Sequence, residues 1–159
     1  MTGRRMQTYY FDDFKLGDRF ETRGARITES QIIDFSWAWD PQPMHLDPSA
    51  DRTLAFGGLM SSGFHTMCIT FRLWIDLGVQ AESVVIGRGI EQLQWTAPVR
   101  PDDILRVVVD VIALKPSSRP GQGTVSLRFT TLNQKDETVM TAINHVIFRC
   151  RPSAAGGSV

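Results

Sequence analysis

The sequence predicts an α+β protein in which a curled antiparallel sheet wraps around one long helix. The central segment from Phe64 to Leu77 is apolar nearly all round, with only Arg72 and Asp76 charged, and is followed by Gly78. That composition is typical of a buried helix with a glycine just past its end. Nearly everything after this segment has the pattern of strands, and a lone apolar helix needs a sheet to cover it.

The strands alternate apolar and polar residues, which indicates a sheet with one buried face and one wet face. On one strand the apolar face holds Leu105, Val107, Val109, Val111 and Ala113, and the other face holds Arg106 and Asp110. On another, Val125, Leu127 and Phe129 alternate with Thr124, Ser126, Arg128 and Thr130. Further strands are expected over residues 84–97 and 138–150, with hairpin loops at residues 115–123 and 133–137.

The segment before the central helix is predicted to contain shorter elements. A strand is expected within residues 11–26. Thr28 and Gln31 then have the spacing of a capping box, which predicts a helix that ends at Pro41. Asp40 is therefore expected at the C-terminal end of a short helix. A second short helix is predicted near residues 47–55.

Length and charge limit the class of protein. The chain has 159 residues, and Lys plus Arg and Asp plus Glu each total 17, so the formal charge is zero. We expect one domain, residues 1–152, and a flexible tail, residues 153–159. A zero charge argues against an extended surface for nucleic acid or an anionic membrane. No apolar run approaches the ~20 residues of a membrane span, and no signal peptide is visible, so we expect a cytoplasmic protein.

The two cysteines, Cys68 and Cys150, lie far apart in apolar stretches and have no metal-ligand spacing. We expect two buried, reduced thiols. His45 and Asp47 form a candidate metal pair, but no second cluster supports it, so no metal site is predicted.

The segment from Asp40 to His45 carries most of the functional information. It places a carboxylate and an imidazole five positions apart, on a chain restricted by Pro41 and Pro43. Both groups can exchange a proton near neutral pH. Five extended residues could span about 17 Å, so a folded-back loop must bring the side chains together. A capped loop beside an exposed histidine is the alternative, and the spacing leaves both readings open.

Five motifs occur in order along residues 11–151. They are Phe11-Asp12-Asp13-Phe14-Lys15-Leu16-Gly17-Asp18, Ile27-Thr28-Glu29, Asp40-x-x-Pro43-x-His45-x-Asp47-Pro48, Phe56-Gly57-Gly58 and Ser62-Gly63-Phe64. Their content and order resemble the MaoC-like dehydratase family of hot-dog-fold proteins, which includes (R)-specific enoyl-CoA hydratases. The resemblance implies that residues 1–152 form one hot-dog domain.

The resemblance also implies a reaction, the addition of water to a trans-2-enoyl thioester or the reverse, with acyl-CoA as substrate and no cofactor. Asp40 and His45 would hold one water, and their acid and base roles stay open because a coupled pair titrates as a unit. The N–H of Gly63, at a helix N-terminus, would stabilise the thioester oxygen. The residues expected to contact substrate are Trp39, Gln42, Pro43, Ser62 and Phe64.

Three positions depart from the family pattern. Trp39 stands where Gly is usual, Gln42 where Asn is usual, and Ser62 where His is common. Gln42 keeps the amide on a longer arm. Trp39 could narrow the pocket or, with Trp37, Met44 and Phe64, define an unusual acyl pocket.

Two other functions stay open. In a hot-dog thioesterase, Asp40 would activate water against the thioester carbonyl, and a third possibility is a non-catalytic protein that binds acyl thioesters. His65 is expected to be packed or pocket-lining, and His145 structural or exposed.

Two kinds of partner are expected. The phosphates of CoA would need basic side chains, and the candidates are Arg88, Arg100 and Lys115. An unpaired edge strand in the predicted sheet favours association with a second copy, so we expect at least a homodimer.

Overall fold

A computed structural model describes residues 7–152, so the tail predicted at residues 153–159 lies outside the described residues. After a 3-10 turn at Phe11–Asp13, the elements are β1 (Arg19–Glu21), β2 (Ala25–Arg26), α1 (Glu29–Trp39), α2 (Pro43–Leu46), α3 (Asp51–Ala55), α4 (Gly63–Asp76), β3 (Val84–Trp95), β4 (Ile104–Pro116), β5 (Gln122–Leu132) and β6 (Thr138–Arg149). Within the described range, no helix has both the length and the apolar character required to cross a membrane.

The strands form an antiparallel sheet in the order β1-β4-β5-β6-β3, and β2 also pairs with β4. Helix α4 packs against this sheet through Trp74, which is fully buried. Its indole contacts the rings of Phe20 and Phe129, with centroids 5.6 and 6.0 Å away. The predicted α+β class, with an antiparallel sheet around a central helix, is confirmed.

Strand β4 follows the predicted alternation only as far as Val111. The register with β5 shifts between Val111 and Ala113, where β4 contains one extra residue. Beyond the shift, Leu114 packs against the core and Ala113 is exposed. The prediction that Ala113 shares the buried face is therefore wrong, because a bulge changes which side chains point inward.

The helix boundaries follow local signals. Thr28 Oγ1 accepts the N–H of Gln31 at 3.3 Å, and Gln31 Oε1 accepts the N–H of Thr28 at 2.9 Å, which confirms the capping box. Asp40 caps the end of α1, and Gly78 follows α4 with a φ of 79°. Helix α2 was not predicted. Pro43 is its first residue, a position where the missing N–H of proline costs no helical hydrogen bond.

Helix α4 is covered by the sheet on one face only. Its buried residues are His65, Thr66, Thr70 and Trp74, and its exposed residues include Phe64, Cys68, Phe71, Arg72 and Ile75. The predicted burial of α4 all round is wrong for the described part of the single chain, in which no element covers the side of α4 that faces away from the sheet. The predicted burial of both thiols is also wrong, since Cys68 is exposed and Cys150 is partly exposed.

Candidate active site

Asp40 and His45 come together because the chain turns tightly between α1 and α2. The N–H of Gln42 donates to the carbonyl oxygen of Asp40 at 2.7 Å, and the N–H of His45 donates to the carbonyl oxygen of Gln42 at 2.9 Å. Nε2 of His45 then lies 3.5 Å from Oδ2 of Asp40. The folded-back loop is confirmed. The alternative of an exposed histidine is wrong, because His45 is only 6% exposed.

The hydrogen bonding of His45 determines which ring nitrogen carries the proton. Nδ1 lies 2.8 Å from the carbonyl oxygen of Met60, which can only accept. In the neutral ring Nδ1 is therefore protonated, and the lone pair of Nε2 faces the carboxylate of Asp40. These two facing acceptors are satisfied either by a donor that bonds to both or by a proton on Nε2 itself. A water molecule, which can donate to both, is such a donor.

The carboxylate of Asp40 accepts a hydrogen bond on each oxygen. Ser62 Oγ donates to Oδ2 at 2.6 Å, and Gln42 Nε2 donates to Oδ1 at 2.8 Å. Burial is the largest single influence on the pKa of Asp40 and raises it, but these two hydrogen bonds and the nearby His45 outweigh it and lower the pKa below its ordinary value. Asp40 is therefore ionised at neutral pH.

Ser62 connects Asp40 to the first turn of α4. It is fully buried and is the N-cap of the helix, and its Oγ accepts the N–H of Phe64 at 3.3 Å while it donates to Asp40. Ser62 thus lies behind the carboxylate rather than on the cavity wall. The bond between them joins residues 22 positions apart, and no local pattern predicts it.

A cavity of about 500 Å³ opens onto Asp40 and His45. Among the predicted site residues, Gln42, Gly63 and Phe64 line it with Asp40 and His45. Further lining residues include Phe56, Met60, Trp95, Val99 and Arg100. Pro43 does not line this cavity. Trp39 does not line it either, and this residue is 78% exposed.

Gly63 begins α4 directly beneath Trp95. Nε1 of Trp95 donates to the carbonyl oxygen of Gly63 at 2.8 Å, and a Cβ at position 63 would overlap the indole ring. Only glycine therefore fits there without displacement of Trp95. The N–H of Gly63 precedes the first helical hydrogen bond and has no acceptor within residues 7–152. It can donate to an anionic oxygen in the cavity, where the helix dipole also favours negative charge.

The other histidines are packed against neighbours. His65 is buried beside the cavity. Its ring stacks on Phe35 at 4.7 Å, its Nδ1 lies 2.9 Å from Ser61 Oγ, and burial lowers its pKa. His145 is partly buried, with its Nδ1 2.8 Å from Ser126 Oγ.

The three basic residues predicted as candidates for binding the phosphates of CoA lie in two different cavities. Arg100 lines the same cavity as Asp40, whereas Arg88 and Lys115 line a different cavity beside His145. Across residues 7–152, no three His, Cys, Asp or Glu side chains are grouped in a way that could hold a metal ion.

Sequence comparison relates the chain to a protein family and to a hydratase. A family model described as "MaoC like domain" matches residues 13–145. A mesaconyl-CoA hydratase from Cereibacter sphaeroides is 37% identical over 148 residues, which cover 92% of this chain and 43% of that protein. The chain therefore spans less than half the length of that relative.

Solved structures share the fold over most of the chain. A MaoC-like dehydratase from Rhodospirillum rubrum is 39% identical, with a TM-score of 0.83 over 91% of this chain and 99% of that one. A Mycobacterium tuberculosis protein with a double hotdog fold is 22% identical, with a TM-score of 0.72 over 96% of this chain and 47% of that one. These likenesses identify the sheet and its central helix as a hot-dog fold, as the sequence motifs implied.

Proposed function

Because the chain belongs to the MaoC-like domain family, we propose that it is a hydro-lyase that adds water to, or removes it from, a trans-2-enoyl thioester such as an enoyl-CoA. The observation that carries the proposal is the pairing of Asp40 with His45 at 3.5 Å, in the cavity that also contains Gly63. The carboxylate and the imidazole provide acid–base groups, and the free N–H of Gly63 provides a donor for negative charge.

In the proposed hydration, a single water molecule donates two hydrogen bonds. One goes to Oδ2 of Asp40 and the other goes to Nε2 of His45. The oxygen of this water attacks Cβ of the enoyl group while Nε2 takes one of its protons. Asp40 is the weaker base, because two donors already bind its carboxylate, and it stabilises the imidazolium that forms. The imidazolium then returns the proton to Cα. Acid–base catalysis of this kind contributes about 10²–10⁴ in rate.

Negative charge develops on the thioester oxygen as the enolate forms. In the proposal the N–H of Gly63 donates to this oxygen, and the dipole of α4, which has 14 residues, adds positive potential at the same point. One such donor is worth about 10²–10³ in rate.

We also propose that the protein forms a homodimer through β3 and the exposed face of α4. Strand β3 has 12 residues and lies at the edge of the sheet, where no strand formed by residues 7–152 pairs with its outer side. Its exposed apolar side chains include Ile86 and Ile90, at 59% and 48% exposure. Between β3 and α4 runs an apolar groove of about 660 Å³, which we call the β3–α4 groove; it is lined by residues that include Met67, Phe71, Ile75 and Ile90. A second copy would cover both the edge and the groove.

An absorbance assay on a panel of trans-2-enoyl-CoA thioesters tests the reaction. Hydration removes the absorbance of the conjugated double bond and leaves the thioester intact. A thioesterase would instead release free thiol, which a thiol reagent detects, and a binding protein would do neither. Either of the last two results, with protein that is folded and binds the thioester, would refute the proposed hydratase.

A further inference from the structure

Arg100 brings a positive charge into the cavity that contains Asp40 and His45. Within the described chain, its guanidinium has no carboxylate within the 4.0 Å that defines an ion pair. The nearby Asp103 does not neutralise it. One oxygen of Asp103 accepts the backbone N–H of Arg100 at 2.7 Å, and the other accepts Nε2 of Gln134 at 2.8 Å. The charge of Arg100 is therefore left for a ligand.

Backbone carbonyls hold the guanidinium in place. Nη1 donates to the carbonyl oxygens of Gly58 and Leu59, the latter at 3.2 Å, and Nη2 donates to that of Phe56. These contacts use three of the five N–H donors of an arginine side chain, so two remain for a ligand. These hydrogen bonds fix the guanidinium in position. Because the carbonyls carry no net charge, they do not neutralise its positive charge.

Arg100 is also anchored to the same stretch of chain as His45. The carbonyl of Leu59 accepts from Arg100, and the carbonyl of the next residue, Met60, accepts from His45. Consecutive Cα atoms are about 3.8 Å apart, so the guanidinium and the imidazole are held by adjacent peptide groups. In the proposed reaction Cβ lies beside the water held by His45, so a substituent on Cβ occupies the same cavity, which Arg100 also lines.

We propose that Arg100 binds a carboxylate attached to Cβ of the substrate, so that the site prefers enoyl thioesters of dicarboxylic acids. This inference rests on the proposed hydratase function. Arginine suits the role, because two of its N–H groups can bind both oxygens of one carboxylate. The neighbouring wall includes Phe56, Met60 and Val99, and an apolar wall strengthens such a bond and makes an unpaired cation costly.

A matched pair of four-carbon substrates tests the proposal. Fumaryl-CoA and crotonyl-CoA differ only in a carboxylate or a methyl group on Cβ. We expect the wild type to have the higher kcat/KM for fumaryl-CoA. The Arg100→Met substitution should lower the ratio of the two kcat/KM values about 10- to 100-fold, and Arg100→Lys should lower it less. The control is Arg88→Met, which removes the same charge from a different cavity and should leave the ratio unchanged.

The use of a ratio separates recognition from structural damage. If Arg100 only anchors the chain around Leu59, its loss lowers both rates equally, and the unchanged ratio overturns the proposal. If Arg100 binds a phosphate of CoA, the ratio is again unchanged, and the effect on rate disappears when pantetheine thioesters replace the CoA thioesters. If no enoyl thioester is hydrated, the proposed function fails, and binding of the unreactive succinyl-CoA and butyryl-CoA decides the role of Arg100. A preference for succinyl-CoA that Arg100→Met abolishes supports it, and equal binding overturns it.

Discussion

Two concave regions lie along α4 and differ in chemistry. The cavity at its N-terminus contains Asp40 and His45, whose polar atoms have hydrogen-bond partners in defined directions. The β3–α4 groove, along the exposed side of the same helix, is lined mainly by apolar side chains such as Phe71 and Ile90. Polar groups that are held in fixed directions can stabilise the charges that develop in a reaction. An exposed apolar surface favours association with another surface. One helix thus supplies a candidate catalytic site at its end and a candidate interface along its side.

Among the substitutions considered, Asp40→Asn and His45→Gln should have the largest effects on activity. They also test whether the cavity and the β3–α4 groove are functionally separate. We expect each to lower kcat/KM for enoyl-CoA hydration about 10²- to 10⁴-fold, because each removes an acid–base group. The oligomeric state should not change. The matched control is Asp34→Asn, which alters an exposed carboxylate on α1. Full activity in both the Asp40 and the His45 variants would show that this cavity is not the catalytic site.

Gly63→Ala should lower kcat/KM about 100-fold, because the new Cβ overlaps the indole of Trp95 and shifts either the ring or the first turn of α4. Steady-state kinetics measures the loss. The double variant Gly63→Ala, Trp95→Leu removes the overlap and should recover part of the rate. If the single variant retains wild-type activity, the close contact between Trp95 and Gly63 has no catalytic consequence.

Phe71→Asp tests the β3–α4 groove. Phe71 is 39% exposed in the single chain, and a charge there should raise the dissociation constant of a homodimer about 30-fold, because the carboxylate would be buried without a partner. Sedimentation over a range of concentrations measures the constant. Leu16→Asp is the control, since Leu16 is also apolar and exposed but does not line the groove. A wild type that stays monomeric at micromolar concentration would contradict the proposed interface.

Ser62→Ala should have the smallest effect, a fall in kcat/KM of about 5- to 10-fold, because one of the two donors to Asp40 is lost. The pKa of Asp40 should rise toward its ordinary value, and an NMR titration of its side-chain carboxyl carbon measures this. Ser62→Thr keeps a hydroxyl and should restore both properties.

The same substitution should change stability in acid. A lowered pKa in the folded state stabilises the fold above about pH 3.9, the ordinary pKa of Asp, and this stabilisation is lost as the pH falls through the lowered pKa. Ser62→Ala should therefore move the midpoint of acid unfolding to higher pH. An unchanged midpoint together with an unchanged pKa would show that Ser62 acts only as a helix cap.

Local patterns predicted most of the fold. The capping box of Thr28 and Gln31, the glycine after α4 and the alternation in β5 depend on residues close together in sequence. The structure confirms each, except that Ser126, predicted on the wet face of β5, is buried. The bulge after Val111 was missed because residues 111–114 are all apolar, so the pattern does not show where the alternation shifts by one residue. Helix α2 was missed because a proline that stiffens a loop and a proline that begins a helix look the same in sequence.

The candidate site was only partly predictable. The motif identified Asp40, His45 and Gly63 before their geometry was known. The partners that orient them come from distant positions. Met60 lies 15 residues from His45, and Trp95 lies 32 residues from Gly63. Such contacts depend on how elements pack together, so no spacing rule reveals them.

The hydroxyl of Ser62 has one hydrogen, and that hydrogen points at Asp40 while its lone pair receives the N–H of Phe64. Once Asp40 takes up a proton, its acid O–H becomes the better donor, and the polarity of the Asp40–Ser62 bond can reverse. The serine oxygen would then receive two donors at once and have its own hydrogen free to seek a new acceptor. The ionisation of a side chain outside α4 thus sets the direction in which the hydroxyl at the N-cap of that helix points.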